Sequence, residues 1–368
     1  MERNGSDCTV GVAGGKLLLF GEHAAVYGYP AVGTALPLYT RVRFCDQAGR
    51  PLRGLGGQRI GALDLHALEP ADRPAVRAVM ERLFALTKIC DERKAEPARI
   101  SLEISSTVPR SLGLGSSAAL CAAIASAACP RATPLQRWTV ANELERQFHG
   151  TPSGVDTGIS TLGSARAFWF NAEGIPEEVE ITLPPGYVLA GAIPRHSSTK
   201  ALIGELRTRI ATQGAEPRNA LAALGELSAA AAASLAARSP ERNGPQRGRE
   251  QLTIETLGAR ADRAHAILRR LQLSTTLLDD VLDLGRRLGA TGGKLSGGGG
   301  GGAFFLLFSQ QSAAEHARQT IGGFLREQLG ARVSDTLPLL VFHTAQTSQP
   351  RTSEHTSSPG TDTEHLQV

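Results

Sequence analysis

Four short stretches of the chain hold residue types that could handle a phosphate, a metal ion and a proton. The first is Pro109-Arg110-Ser111-Leu112-Gly113-Leu114-Gly115-Ser116-Ser117-Ala118. Glycines at 113 and 115 let backbone N–H groups approach an anion with no Cβ in the way, and a helix opening at the two serines adds free amides and a partial positive charge. Two hydroxyls at a helix start could also ligate Mg²⁺. The loop carries no Gly-Lys-Ser/Thr and no GxGxxG spacing, and taken alone it reads equally well as a capped strand-to-helix turn.

The second stretch, Lys16 to His23 (KLLLFGEH), sets a lysine, Glu22 and His23 around a strand end. Each of these in isolation reads as a surface charge or a satisfied histidine. In the third, Glu145 to Asp156 (ERQFHGTPSGVD), two carboxylates lie eleven residues apart across a helix break. The break could bring Asp156 back beside Glu145. Phosphoryl transfer needs one carboxylate near the metal and one near the attacking hydroxyl, whereas the plain alternative for Asp156 is a helix N-cap. The fourth stretch runs Lys294-Leu295-Ser296 and then six glycines, 297–302. It lies between strand-like segments rather than between domains, so Gly297, Gly298 and Gly299 suggest a backbone that something approaches closely, not a linker.

The elements that must position these residues follow from periodicity. Short strands are expected at 8–13, 16–20, 31–36, 39–46 and 101–106, where apolar residues alternate. Helices are expected at 72–90, 116–128 and 134–149, the last with Thr133 as N-cap and Pro134 in its first turn. Strands at 165–170, 178–183 and 187–193 precede helices at 199–213, 217–237, 250–271 and 274–288. A strand at 303–308, a helix at 310–328 and a closing strand at 332–343 end the ordered part. This is an α+β pattern in two domains, divided as 1–190 and 191–344. Residues 238–249 read as an exposed loop, and 345–368, rich in Ser, Thr and Pro, as a disordered tail.

Composition removes several alternatives. In 368 residues, 39 basic side chains nearly balance 35 acidic ones for a net charge of +4, spread without a nucleic-acid stripe or a polybasic membrane patch. No apolar run is long enough for an ordinary membrane span. Five cysteines without CxxC spacing argue against zinc or a disulfide framework and for a reducing cytoplasm.

Together the four stretches resemble the kinases named for galactose, homoserine, mevalonate and phosphomevalonate, and within that family its mevalonate kinase branch. The loop at 109–119 is similar to the family's nucleotide loop, and 292–302 to its C-terminal glycine motif. The segments 16–32, 145–160 and 195–203 are those that resemble the mevalonate branch. The resemblance spans about residues 8 to 343. It implies a ribosomal-protein-S5-like N-terminal domain and a ferredoxin-like C-terminal domain, with ATP and Mg²⁺ as cofactors and mevalonate as the acceptor. It further implies Asp156 as the base, Lys16 beside it, and Ser117 and Glu145 on Mg²⁺. Glu22, His23 and Thr199 fall on the acceptor and phosphate side, and family members are often homodimers. The resemblance also implies an arginine for the acceptor carboxylate in the strand after Asp156, where Arg166 lies one residue out of register. Thr157 and Ala303 stand where relatives usually carry Asn and Cys.

Galactokinase, phosphomevalonate kinase and a non-catalytic nucleotide-binding relative are the competing readings. Ala24-Ala25-Val26 after the GEH triplet suits a branched acid better than a sugar. A relative that had lost catalysis would be expected to lack Lys16 or Asp156.

Overall fold

The structure is a computed structural model and describes residues 8–46, 73–86, 100–171, 176–197, 199–236 and 252–346. The expected loop at 238–249 and residues 347–368 of the expected tail lie outside the described residues.

The first half forms a five-stranded antiparallel sheet. Strands β1 (Cys8–Phe20) and β2 (Ala31–Asp46) pair along most of their length; β3 (Ile100–Ser106) pairs with the far half of β2 and β4 (Ala165–Phe170) with its near half. Strand β5 (Pro176–Ile181) closes the other edge against β4. The glycine pair 14–15, read from sequence as a break, is instead carried inside β1 as an irregularity: the register with β2 shifts between Gly14 and Gly15, and again between Leu18 and Phe20. Such bulges bend a strand without ending it. The turn at 36–39 likewise fails to divide β2.

Helix α1 (Arg73–Ala85) buries Val76, Val79, Met80 and Leu83, the helical stripe its spacing predicts. Helix α2 (Ser116–Ala128) is built almost wholly of small residues, and Ala118, Ala119, Ala122, Ala123, Ala125 and Ala127 are all buried. Small residues let its backbone settle onto β1: a Cβ at Gly11 would collide with the Ala123 carbonyl. Helix α3 (Pro134–His149) starts with a capping box in which the Gln136 amide donates to Thr133 Oγ1 (3.2 Å) and the Thr133 amide donates back to Gln136 Oε1 (2.8 Å). Helix α4 (Val155–Leu162) follows after the Gly150–Gly154 break.

The second half builds a four-stranded antiparallel sheet in the order β7–β8–β6–β9, from β6 (Tyr187–Ile193), β7 (Gly292–Leu295), β8 (Gly302–Phe308) and β9 (Leu339–His343). Every residue of β8 is buried. Helices α5 (Thr199–Thr212), α6 (Ala215–Ala236), α7 (Ile254–Arg270), α8 (Thr276–Arg287), α9 (Gln311–Leu329) and the single turn α10 (Ala331–Ser334) complete this half. Two expectations are corrected here. The glycine block contains a strand, β7, and the closing strand begins at Leu339, because 331–334 turn helically after Gly330. The change from one sheet to the other falls between Ile181 and Tyr187.

Cysteine usage also departs from expectation. Cys8 and Cys129 are disulfide-bonded, while Cys121 is a free, buried thiol. An odd total without CxxC spacing says nothing about which sulfurs the fold brings together. Among the described residues one helix, α6, is long and apolar enough to cross a membrane by length and composition, but half of its apolar window is buried against the rest of the fold.

Candidate active site

Lys16 and Asp156 meet. Lys16 projects from β1 and Asp156 from the first turn of α4, with Nζ and Oδ2 at 3.0 Å; the lysine is buried and the aspartate 43% exposed. The Gly150–Gly154 break makes this possible, since it reverses the chain between the helix holding Glu145 and the one holding Asp156. The reversal is anchored from behind: Trp138 Nε1 donates to the Gly154 carbonyl (2.9 Å), and Thr157 Oγ1 donates to the same carbonyl and to Asn142 Oδ1, each at 3.2 Å.

Ser117 and Glu145 form a second pair. Ser117 Oγ, at the second position of α2, donates to Glu145 Oε1 (2.8 Å), and His149 Nε2 lies 3.2 Å from that oxygen and 3.4 Å from Ser117 Oγ. Glu145 Oε2 is buried with no partner. Burial lifts the Glu145 carboxyl to about 7; the neighbouring Asp156 also raises it, while the Ser117 hydrogen bond opposes the rise. A divalent cation at this point would relieve both the orphaned oxygen and the raised pKa. The donors are hard oxygens, as Mg²⁺ requires. The two residues therefore fit Mg²⁺. Among the described residues no group of three or more His, Cys, Asp or Glu side chains gathers as for a metal.

The nucleotide loop packs onto Lys16 itself. The Lys16 amide donates to the Leu114 carbonyl (2.9 Å). Gly115 caps α2 in the left-handed region at φ 80°, and a Cβ there would lie 2.5 Å from Lys16 Cγ. Ser116 opens α2, Ala118 is buried in it, and Pro109 and Ser111 lie on the approach, Ser111 at φ 60°.

The glycine run comes in from the second half. A Cβ at Gly297 would sit 4.0 Å from Lys16 Nζ, and the Leu18 amide donates to Ser296 Oγ (2.9 Å). His23 Nε2 lies 3.0 Å from the Gly298 carbonyl, and the Lys294 ammonium bonds Glu22 Oε1. Beyond Gly298 the run is gripped on two sides, with the Gly300 amide donating to the Leu273 carbonyl and the His196 amide to the Gly300 carbonyl, both at 2.9 Å. Thr199 is the first residue of α5; its side chain lies outside the described residues.

Comparison with known proteins gives this constellation its context. The family model described as "GHMP kinases N terminal domain" matches residues 76–164, and "GHMP kinases C terminal" matches 250–326. The chain belongs to the GHMP kinase family. A mevalonate kinase of Thermococcus sibiricus is 26% identical over 292 residues, 77% of this chain and 84% of the relative. That of Bos taurus is 30% identical over 253 residues, 54% of this chain and 62% of the relative. The crystal structure of L. major mevalonate kinase in complex with R-mevalonate superposes with a TM-score of 0.70 at 20% identity, covering 96% of this chain and all of that one. The two-domain fold expected from the sequence is thus the fold of this GHMP kinase.

Arg166, the arginine nearest the position expected for the acceptor carboxylate, is engaged within the first half of the chain. It ion-pairs with Glu178 and Glu180 of β5 and donates from Nε to the Gly163 carbonyl (3.1 Å). The alternation of β4 turns it to the sheet neighbour instead. Sequence reading passed over His149, although its position one helical turn after Glu145 is a signal that could have found it. It also passed over the Trp138, Asn142 and Thr157 anchor.

Proposed function

We propose that this kinase transfers the γ-phosphoryl group of ATP to the 5-hydroxyl of mevalonate, giving 5-phosphomevalonate and ADP. The observation that carries the reading is the Lys16–Asp156 contact of 3.0 Å at the mouth of a glycine cradle. Asp156, exposed enough to meet a substrate, takes the proton of the attacking hydroxyl. Lys16, in contact with that carboxylate, lowers the energy of the oxyanion that develops as the proton leaves. The free amides of Ser116 and Ser117 at the start of α2 receive phosphate oxygens. Ser117 Oγ and Glu145 would hold Mg²⁺, which when bound neutralises charge on the phosphates. Phosphoryl transfer asks little covalent chemistry of a protein, so positioning and electrostatics of this kind suffice. Glu22, His23 and the apolar Ala24–Tyr27 turn face the acceptor side in this reading. In this reading the nucleotide-binding unit runs to about residue 190, as the sequence suggests; the pairing of Tyr187–Ile193 with β8 and β9 supports a division a few residues earlier, within 182–186.

A coupled ADP-release assay with mevalonate, phosphomevalonate, galactose and homoserine tests the proposal. Turnover is expected with mevalonate; turnover confined to any of the other three would replace it.

A further inference from the structure

Lys294 lies on β7 with no exposed surface, and its partner Glu22, 272 residues away in the chain, is equally buried. Its ammonium also donates to the Leu295 carbonyl (2.7 Å) and faces the rings of Phe305 and Phe20 at 5.5 and 6.0 Å. Taking two charges out of water is expensive, and an apolar pair of similar volume is often as stable or more so. Stability alone therefore does not explain why the two halves meet through a desolvated ion pair.

What surrounds the pair suggests its use. Alternate residues of one segment, Lys294, Ser296 and Gly298, contact Glu22, the Leu18 amide and His23 of the other. His23 is held at φ 58°, a conformation that a residue with a Cβ adopts rarely and only when its surroundings impose it. With Nε2 donating to the Gly298 carbonyl, a neutral ring leaves Nδ1 as an acceptor; Nδ1 is buried without a partner, and so is Glu22 Oε2. Two buried acceptors on adjacent residues call for a donor, and a hydroxyl-bearing acceptor substrate supplies one.

We infer that Lys294 is a positioning residue for the phosphoryl acceptor: by occupying Glu22 Oε1 it fixes the Glu22 carboxylate so that Oε2 is presented for a substrate hydroxyl. The inference rests on the acceptor-side reading of Glu22 and His23 given above.

A double-mutant cycle over Lys294→Met and Glu22→Gln tests it in the full chain, with KM and kcat for the acceptor, the Kd of a fluorescent ADP analogue, and Tm. K294M is expected to raise the acceptor KM by about tenfold, the scale of one lost charge-assisted hydrogen bond, with kcat and nucleotide Kd within about threefold. In the E22Q background the same change should leave KM where E22Q alone puts it. KM effects that multiply in the double variant, or a folded K294M with unchanged KM, overturn the inference. Should K294M fail to fold, E22Q against E22Q/K294M still decides it, because the amide oxygen that E22Q introduces can still accept from Lys294 Nζ and the double variant holds neither buried charge; a further KM rise then counts against positioning. Wild-type turnover of an acceptor other than mevalonate would refute the substrate reading separately, and the cycle would be read on that acceptor.

Discussion

Asp156 and Lys16 differ in environment as their roles require, one partly open to substrate and the other sealed beneath the cradle. Replacing Asp156 by Ala should lower kcat by at least about 10² while leaving Tm and nucleotide affinity nearly unchanged; turnover within a few-fold of wild type would remove it as the base. His23 carries a second prediction. Burial pushes its imidazole down to about 4, with Lys294 adding to the effect and the Gly298 bond opposing it. A depressed pKa means the unfolded chain takes up a proton that the folded chain refuses. This contribution to stability is therefore complete above pH 6.5 and is lost as the pH falls towards 4, by on the order of 2–3 kcal/mol. Urea midpoints at pH 7.5 and pH 5 should differ less in His23→Gln than in wild type; equal differences would show that His23 titrates normally. At this scale Lys16, Ser117, Glu145 and Asp156 were legible, since each stands in a short motif whose types suit phosphate, metal and proton. The partner of Lys294 was not legible: Lys294 lies in a strand of one sheet and Glu22 in the turn that follows a strand of the other, and only docking of the two halves brings them together.

The elements aim these residues through backbone contacts that a residue list does not reveal. The Gly154 carbonyl accepts from both Trp138 and Thr157, which fixes the start of α4 and with it Asp156. Trp138→Phe keeps a ring against Phe168 but removes the N–H donor. It should cost about 1 kcal/mol of stability and lower kcat several-fold; a loss of Tm with no change in kcat would show the anchor to be purely structural. Gly115→Ala places a methyl 2.5 Å from Lys16 Cγ at a φ of 80°, so stability should fall by roughly 1–3 kcal/mol and kcat by more than tenfold. Wild-type kinetics in that variant would mean that Lys16 has room to move. The start of α3 was readable because Thr133 caps it, whereas the Thr253 and Thr275 caps went unread and α7 and α8 begin two to four residues later than their apolar spacing suggested. Glycine misled the reading of strands: it suggested breaks at 14–15 and no strand at 292–295, yet ladder hydrogen bonds from neighbouring strands hold both segments extended.

Across the whole molecule, two antiparallel sheets are keyed together at the active site by the Lys294–Glu22 pair and the Ser296 and Gly298 contacts. Separating the halves would strand a buried charge in each, so they are expected to unfold together. The two tryptophans, Trp138 on α3 and Trp169 on β4, both belong to the first half, whereas far-UV circular dichroism also reports the helices of the second. Urea transitions followed by tryptophan fluorescence and by circular dichroism should therefore coincide. Two separated transitions would mean that the seam is too weak to couple the halves. The order of strands and helices was legible over most of the chain. The point where one sheet gives way to the other was not, since the glutamate-rich β5 (PEEVEI) and the apolar β6 (YVLAGAI) both read as strands and neither composition names the strands it pairs with.

The run 297–302 has a consequence for how this chain can change over generations. Five of its six glycines have positive φ, and a Cβ at Gly299 or Gly301 would strike the Leu273 or Pro194 carbonyl. Any missense change in those codons adds a side chain, so there is no gentle first step away from glycine. Drift is blocked from both sides, because the carbonyls in the way belong to backbone that no substitution removes. A saturation library selected for activity should return this segment almost empty, while exposed positions of α3 such as Leu135 and Thr139 fill freely.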